Sequence, residues 1–540
     1  MTRRHRTVRL LTVSLAGVLA LSACTTPADE PADPHQAQTS SPPDALTVVA
    51  SGTDVGTALG TSRALFTHSP VVIVAPTGDA DAAELAAGTA VDLGVPLLIA
   101  PAVDDDDAGA DSADGADDTD SADGADALAT ELDRLGVTTV VAVGDVGRLD
   151  VGDLDDAAGD SAENSGEDSG VVRVDATADA LATAASEVPT IVRAEPLTDM
   201  VALAIDDPAQ TAAIATAEAS GIEVLRVPAS TPNPQATPEI IEALHASPAT
   251  KTLAIGAAYN TEPALEWKIR TAKTGAQLPG GGQLMFPTHQ FVALYGAPGT
   301  GSLGVLGEQD AAASVQRARD VAAPYTGLTD KTVVPMFEII ATVAAGAAGS
   351  DGDYSNELEI ERLRPWIDAA TEAGMYVVID LQPGRTDFLT QAKRYQSLLE
   401  LPNVGLAIDP EWRLAPDQVP LEQIGSVSAA EVNAVTAWLA DLTNTNGLPQ
   451  KMVVLHQFQL KMLQDRSQID TSRPELAMLI HADGQGAQPD KQATWSALHQ
   501  DAPAGIAWGW KNFYDEDAPM LTPEQTVTAV SPLPDLITYQ

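Results

Sequence analysis

Short runs of consecutive apolar residues recur along this chain, separated by stretches with Ala and Leu at helical spacing. A strand that is apolar on both faces needs cover on both. The alternation therefore points to parallel sheets flanked by helices and away from a half-exposed antiparallel sandwich. In the first half, residues 71–75 (VVIVA), 96–100 and 138–143 read as strands, and 79–93 and 128–135 read as helices. A weaker copy follows, with strands at 201–205, 222–227 and 251–256 and helices at 207–220 and 238–245. The same order of elements twice over is an internal repeat.

From residue 290 the alternation continues without a second repeat. Strand signals fall at 291–295, 333–340, 375–381, 404–409, 452–457, 476–482 and 505–510, with helices at 309–322, 358–373, 388–399 and 429–441. Seven or eight strand-helix units over this length are on the scale of a (β/α)8 barrel, with an open doubly wound sheet as the alternative. The expected fold class is α/β: an N-terminal doubly wound tandem-repeat domain over 46–258 and a C-terminal (β/α)8-like barrel over 290–540. Residues 259–289, with Pro-Gly-Gly-Gly at 279–282, read as the linker between them.

The chain opens with several positive charges and an apolar run at 10–21, too short to span a bilayer as a mature helix, which is the pattern of a secretory signal peptide. The run ends in Leu21-Ser22-Ala23-Cys24, and Cys24 is the only cysteine. This resembles the lipobox of exported bacterial lipoproteins, here of actinobacterial type. The resemblance implies cleavage of 1–23, acylation of Cys24 and anchoring of the protein by its lipid at the extracytoplasmic face of the cell membrane. Two or three acyl chains hold far more firmly than one. Residues 24–45, rich in Pro, Ala, Ser and Thr, read as a flexible tether.

Much of the net charge of -47 sits in Asp-rich stretches at 104–126 and 150–168. Nucleic-acid binding, which needs a basic footprint, is excluded as a main role. The spacing of Asp111, Asp114, Asp117, Asp118 and Asp120 invites a calcium reading, but no Glu closes a twelve-residue loop. The expectation is a solvated insertion at 104–126 within the first repeat, with no cofactor otherwise.

The residues 78–87 with their Asp81-Ala82 step, Leu93-Gly94-Val95-Pro96-Leu97-Leu98, Glu131-Leu132 with Leu135-Gly136, and 140–144 are similar to the cell-wall-binding repeat type 2 of bacterial surface proteins. The resemblance covers about 46–258 and implies binding to cell-wall polysaccharide or peptidoglycan. The Arg-Tyr pair usual near the start of a repeat is absent from 52–58, and two copies are found. A fold retained for another purpose is the alternative.

In the barrel half, polar residues fall at strand ends: Glu338, Asp380, Asp409 with Glu411, His456, His481 with Asp483, and Lys511 with Asn512. Barrel enzymes collect their chemistry at that end, where the loops converge on one mouth. With Trp412, Trp508 and Trp510 close by, the set suggests a carboxylate-rich pocket with aromatic walls, suited to carbohydrate. Asp409 and Glu411 are the expected half of a catalytic pair, Asp380 or Asp483 the other half, and His456 an orienting group. Glu338, Trp412, Trp508, Trp510 and Lys511 are expected to bind substrate. This half is similar to barrel glycoside hydrolases in architecture alone. His456, His481, Asp483 and Asp409 could instead hold a metal for hydrolysis. Lys511 is expected to pair with Asp515, Glu516 or Asp517 rather than form a Schiff base. No Gly-x-Ser-x-Gly or Walker motif and no well-placed dinucleotide fingerprint is present. Two readings stand: a glycan hydrolase, and a non-catalytic protein that binds envelope polymer with both domains.

Overall fold

The computed structural model describes residues 35–102, 118–147, 149 and 171–540. The signal peptide, Cys24, most of the tether and most of both acidic stretches, including the core of the calcium reading, lie outside the described residues. In chain order the first half comprises β1 (Gln38–Thr39), β2 (Leu46–Val49), α1 (Asp54–Leu65), β3 (Phe66–His68), β4 (Val71–Pro76), α2 (Ala80–Leu93), β5 (Leu97–Ala100) and α3 (Asp118–Leu135). There follow β6 (Thr139–Val143), β7 (Val171–Val174), α4 (Ala178–Glu187), β8 (Met200–Asp206), α5 (Thr211–Ala219), β9 (Glu223–Pro228), α6 (Pro238–Ala246), β10 (Lys251–Ile255) and α7 (Leu265–Ala272).

These strands form two four-stranded parallel sheets, β5-β4-β6-β7 and β2-β10-β8-β9. The two have the same internal order, but their edges are interlaced. β2 opens the first repeat yet pairs with β10 at the end of the second, and β7 opens the second yet pairs with β6 at the end of the first. The units also share helices: Ala212 and Ala215 of α5 pack in the core of the first sheet, and the Thr216 hydroxyl bridges the backbone N–H and C=O of Leu97, both at 3.0 Å. Local signals end the helices as the sequence suggests. Asp79 caps α2 through Ala82 N–H, and Gly94 closes it in the left-handed conformation at φ 73°.

Three expectations are corrected. The tether is docked at its end: Gln38–Thr39 pairs with β3, and Ala37 is buried, its N–H donating to Val192 O. The last part of the 104–126 insertion is helical, because α3 begins at Asp118. Farther along α3, buried Glu131 fastens the helix to α1 by accepting from Ser62 and Arg63. The 259–289 segment is no loose linker, since Leu265, Ile269 and Ala272 share one face of α7 and bury it against the second sheet. Its end joins the two halves, with Met285 N–H donating to Gln450 Oε1 and Gln450 N–H to Gln283 O.

The second half contains β11 (His289–Gly296), α8 (Ala311–Ala322), β12 (Thr332–Ala344), β13 (Ser355–Glu357), α9 (Ile360–Glu372), β14 (Tyr376–Leu381), α10 (Phe388–Arg394), α11 (Gln396–Leu399), β15 (Val404–Ile408) and β16 (Val427–Ser428). Then come α12 (Ala429–Thr445), β17 (Lys451–Gln457), β18 (Leu463–Gln464), β19 (Leu476–Ala482), α13 (Gln488–His499), β20 (Ala507–Asn512), α14 (Pro523–Ala529) and β21 (Leu536–Tyr539). Eight parallel strands, β11, β12, β14, β15, β17, β19, β20 and β21, close into a barrel because β11 pairs with both β12 and β21. Closure excludes the open sheet. β13 lies antiparallel on the far end of β12.

Side chains alternate across each barrel strand. Phe291, Ala293, Met336, Val378, Val454, Leu479 and Leu536 fill the interior, while Val292, Leu294, Phe337, Val377, Val453 and Ile480 pack outward beneath the helices. The next inward position toward the carboxyl end of each strand changes from apolar to polar. That position holds Tyr295, Glu338, Asp380, Asp409, His456, His481, Lys511 and Thr538.

Candidate active site

Closing the barrel brings this crown of polar residues together under a cleft of about 330 Å³, lined among others by Tyr295, Asp409, Glu411, Trp412, Asp483 and Lys511. At its centre His456, fully buried, meets Glu338 Oε1 with Nε2 at 2.8 Å and Asp483 Oδ2 with Nδ1 at 3.0 Å. Asp380 Oδ1 lies 3.9 Å from the same Nε2, and its other oxygen accepts from the Tyr295 hydroxyl at 2.9 Å. Burial opposes a charge on His456, but Glu338, Asp483 and Asp380 outweigh it and hold its pKa well above the usual imidazole value. His481, its ring tilted by 60° to that of His456 at 5.0 Å between centroids, is driven the other way, first by burial and then by the His456 cation, so it is neutral.

The carboxyls separate by environment. Burial pushes Asp380 up to about 6. Burial also holds Asp409 well above the carboxylate range. Glu411 is raised to about 7 by burial and by the charge of Asp483. Asp483 is the exception: burial would raise it, yet the hydrogen bond and charge of His456 keep it below its usual value. One mouth therefore holds a protonatable Glu411 and an ionised Asp483, each within the other's field. The carboxyl group of Asp409 accepts from Glu411 N–H at 3.1 Å and sets the turn that carries Glu411 and Trp412 over the cleft.

The chain matches no protein-family model. No curated protein matches it. Among solved structures it is similar to Cwp6 from Clostridium difficile, at 14% identity and a TM-score of 0.28 over 56% of this chain. The match spans 64% of that protein, less than two thirds of its length.

The structure brings Glu338, Asp380, Asp409, Glu411, His456, Asp483, Trp412 and Lys511 together, and leaves two residues out. Trp508 and Trp510 do not line the cleft. In β20 they alternate with Gly509 and Lys511, so when Lys511 points inward both indoles point outward, where they pack around Trp495 and Trp508 stacks on His499 at 3.5 Å. Gly509 is required at the inward position, because a Cβ there would stand 2.5 Å from the His481 ring. The expected ion pair of Lys511 is also corrected. Asp517 pairs with Lys491 of α13 at 2.5 Å, and among the described residues no carboxylate lies within 4 Å of the Lys511 ammonium. That ammonium rests 3.5 Å from the centroid of the Tyr295 ring. Tyr295 and Thr538 were missed. The period-2 alternation of β11, read through to its polar end, is the signal that singles out Tyr295.

Proposed function

We propose that this chain is a membrane-anchored envelope lipoprotein whose barrel cleaves glycosidic bonds of a wall polysaccharide, with Glu411 as proton donor and Asp483 as the ionised partner. The observation that carries this reading is the divergence of those two carboxyls in one cleft, a neutral acid beside a held carboxylate. Trp412 supplies an aromatic face for a sugar ring, and Lys511 a fixed positive charge toward hydroxyl or anionic groups. His456 orients Asp483 and is a positioning residue. The N-terminal interlaced sheets would hold the enzyme on its polymer, as the repeat resemblance implies.

The test is incubation of the purified protein with a panel of envelope polysaccharides, read as release of reducing ends. Release is expected from at least one, and Trp412→Ala should raise KM more than it lowers kcat. Binding without release from any glycan would leave a binding protein and end the hydrolase reading. The anchor is tested separately. Cys24→Ala should shift the protein from the membrane to the soluble fraction and abolish incorporation of labelled palmitate. Full membrane retention of the variant, with no label in the wild type, would refute it.

A further inference from the structure

We propose that Glu338, His456 and His481 form a binding site for a divalent transition-metal ion beneath the cleft floor, with Asp380 closing a fourth side. One ligand atom from each of the three lies within 4.8 Å of the others, and all three side chains are buried. A buried polar atom with no partner is costly and uncommon, yet several gather here. Glu338 Oε2, Asp380 Oδ1 and His481 Nδ1 have no hydrogen-bond partner. A hydrogen-bonded pair such as His456 with Glu338 accounts for two atoms of the cluster and leaves these three unexplained. An ion bound among them would satisfy acceptors that the protein itself does not, and in binding would displace to solvent the proton that His456 Nε2 shares with Glu338.

The surroundings support the same assignment. Metal-ligating histidines hold their second nitrogen on a carboxylate or another polar group, which fixes the ring. Here His456 Nδ1 is on Asp483 at 3.0 Å, His481 Nε2 is on the Thr538 hydroxyl at 3.0 Å, and the second oxygen of Asp380 is on Tyr295. Two imidazoles with one or two carboxylates favour a borderline ion such as Zn²⁺ over Ca²⁺ or Mg²⁺, which take oxygen ligands. The ligand set differs from the sequence expectation: Glu338 replaces Asp409, and Asp483 stands behind His456 as its orienting partner. Tyr295 and Asp483 line the cleft and hydrogen-bond Asp380 and His456, so an ion would enter from the cleft side. The proposal does not rest on the glycan reading.

The test uses the full-length protein, stripped with a chelator and titrated with Zn²⁺ alone by calorimetry, with metal content measured after dialysis. One ion per chain is expected, with a rise in melting temperature. Asp483→Asn should weaken affinity about 10- to 100-fold, as loss of an orienting partner does. Glu338→Gln and His481→Asn should abolish stoichiometric binding, while His499→Gln, outside the cluster, retains it. Should a variant fail to fold, the absorption spectrum of the Co²⁺-loaded wild type decides, since mixed nitrogen and oxygen ligation supports the site and all-oxygen ligation overturns it. No binding of Zn²⁺, or binding that survives both ligand substitutions, also overturns it. None of these readouts involves a glycan, so failure of the hydrolase reading would leave the result interpretable.

Discussion

Replacing Glu411 by Gln is expected to lower kcat on wall glycan by about 100- to 10,000-fold, the range that a positioned general acid supplies. KM should change little, because the amide keeps the shape of the side chain beside Trp412. The pH profile carries the diagnostic. Burial, with the charge of Asp483, holds Glu411 at about 7, and an acid must be protonated to act, so wild-type activity falls as pH rises through about 7. Asp483 is kept below its usual range by His456, so the ionised partner persists well into acid. Stability runs in the same direction. A carboxyl whose folded pKa exceeds its unfolded value contributes stability that is present below about 4.5 and lost as pH rises through about 7. Glu411→Gln should therefore be at least as stable as wild type at pH 8 while being far less active. Unchanged kcat, or a loss of activity that tracks a loss of melting temperature, would sink the assignment.

What the sequence disclosed of this site follows from what a strand can tell. Glu338, Asp380, Asp409, His456 and Lys511 each end an apolar run, and a closed barrel carries every such end to one mouth, so a one-dimensional pattern became a three-dimensional cluster. Trp508 and Trp510 show where proximity misleads. They stand three and one positions before Lys511, and alternation decides their face, not their distance from the strand end. Thr538 sits in a four-residue strand behind a Pro-rich turn, too short to register as periodic. The pairing of Asp517 with Lys491 rather than Lys511 depends on α13 packing against the barrel, a contact no local pattern encodes. The interlaced edges of the two N-terminal sheets are of the same kind, because a strand's apolar content says that it is covered and not which strand it pairs with.

Lys491→Met is expected to destabilise the barrel by about 3–5 kcal/mol, the range for removing one partner of a buried ion pair. Both side chains are almost wholly buried, and Lys491 Nζ is 2.5 Å from Asp517 Oδ2. Nζ also donates to Lys511 O at 2.7 Å and lies 4.8 Å from the centroid of the Trp510 ring. Desolvation disfavours the ammonium and lowers its pKa, and the Asp517 carboxylate only partly offsets that. The larger penalty falls on what remains. Without Lys491, Asp517 would be an uncompensated buried carboxylate, still fixed by the N–H groups of Gly486 and Phe513, each at 3.1 Å. Replacing both partners, as in Lys491→Met with Asp517→Leu, should recover only part of the loss, since those two amides would then lack an acceptor. The pair also bears on the cleft. Gln485 and Phe513 line it, and each adjoins or contains an amide that Asp517 holds, so Lys491→Met should raise KM for glycan as well as lower the denaturant midpoint. Hydrogen exchange at Gly486 and Phe513 should accelerate ahead of exchange in the barrel strands. A stability change below about 1 kcal/mol, the range of a surface salt bridge, would mean that water reaches the pair and that it does not organise the loops around the site.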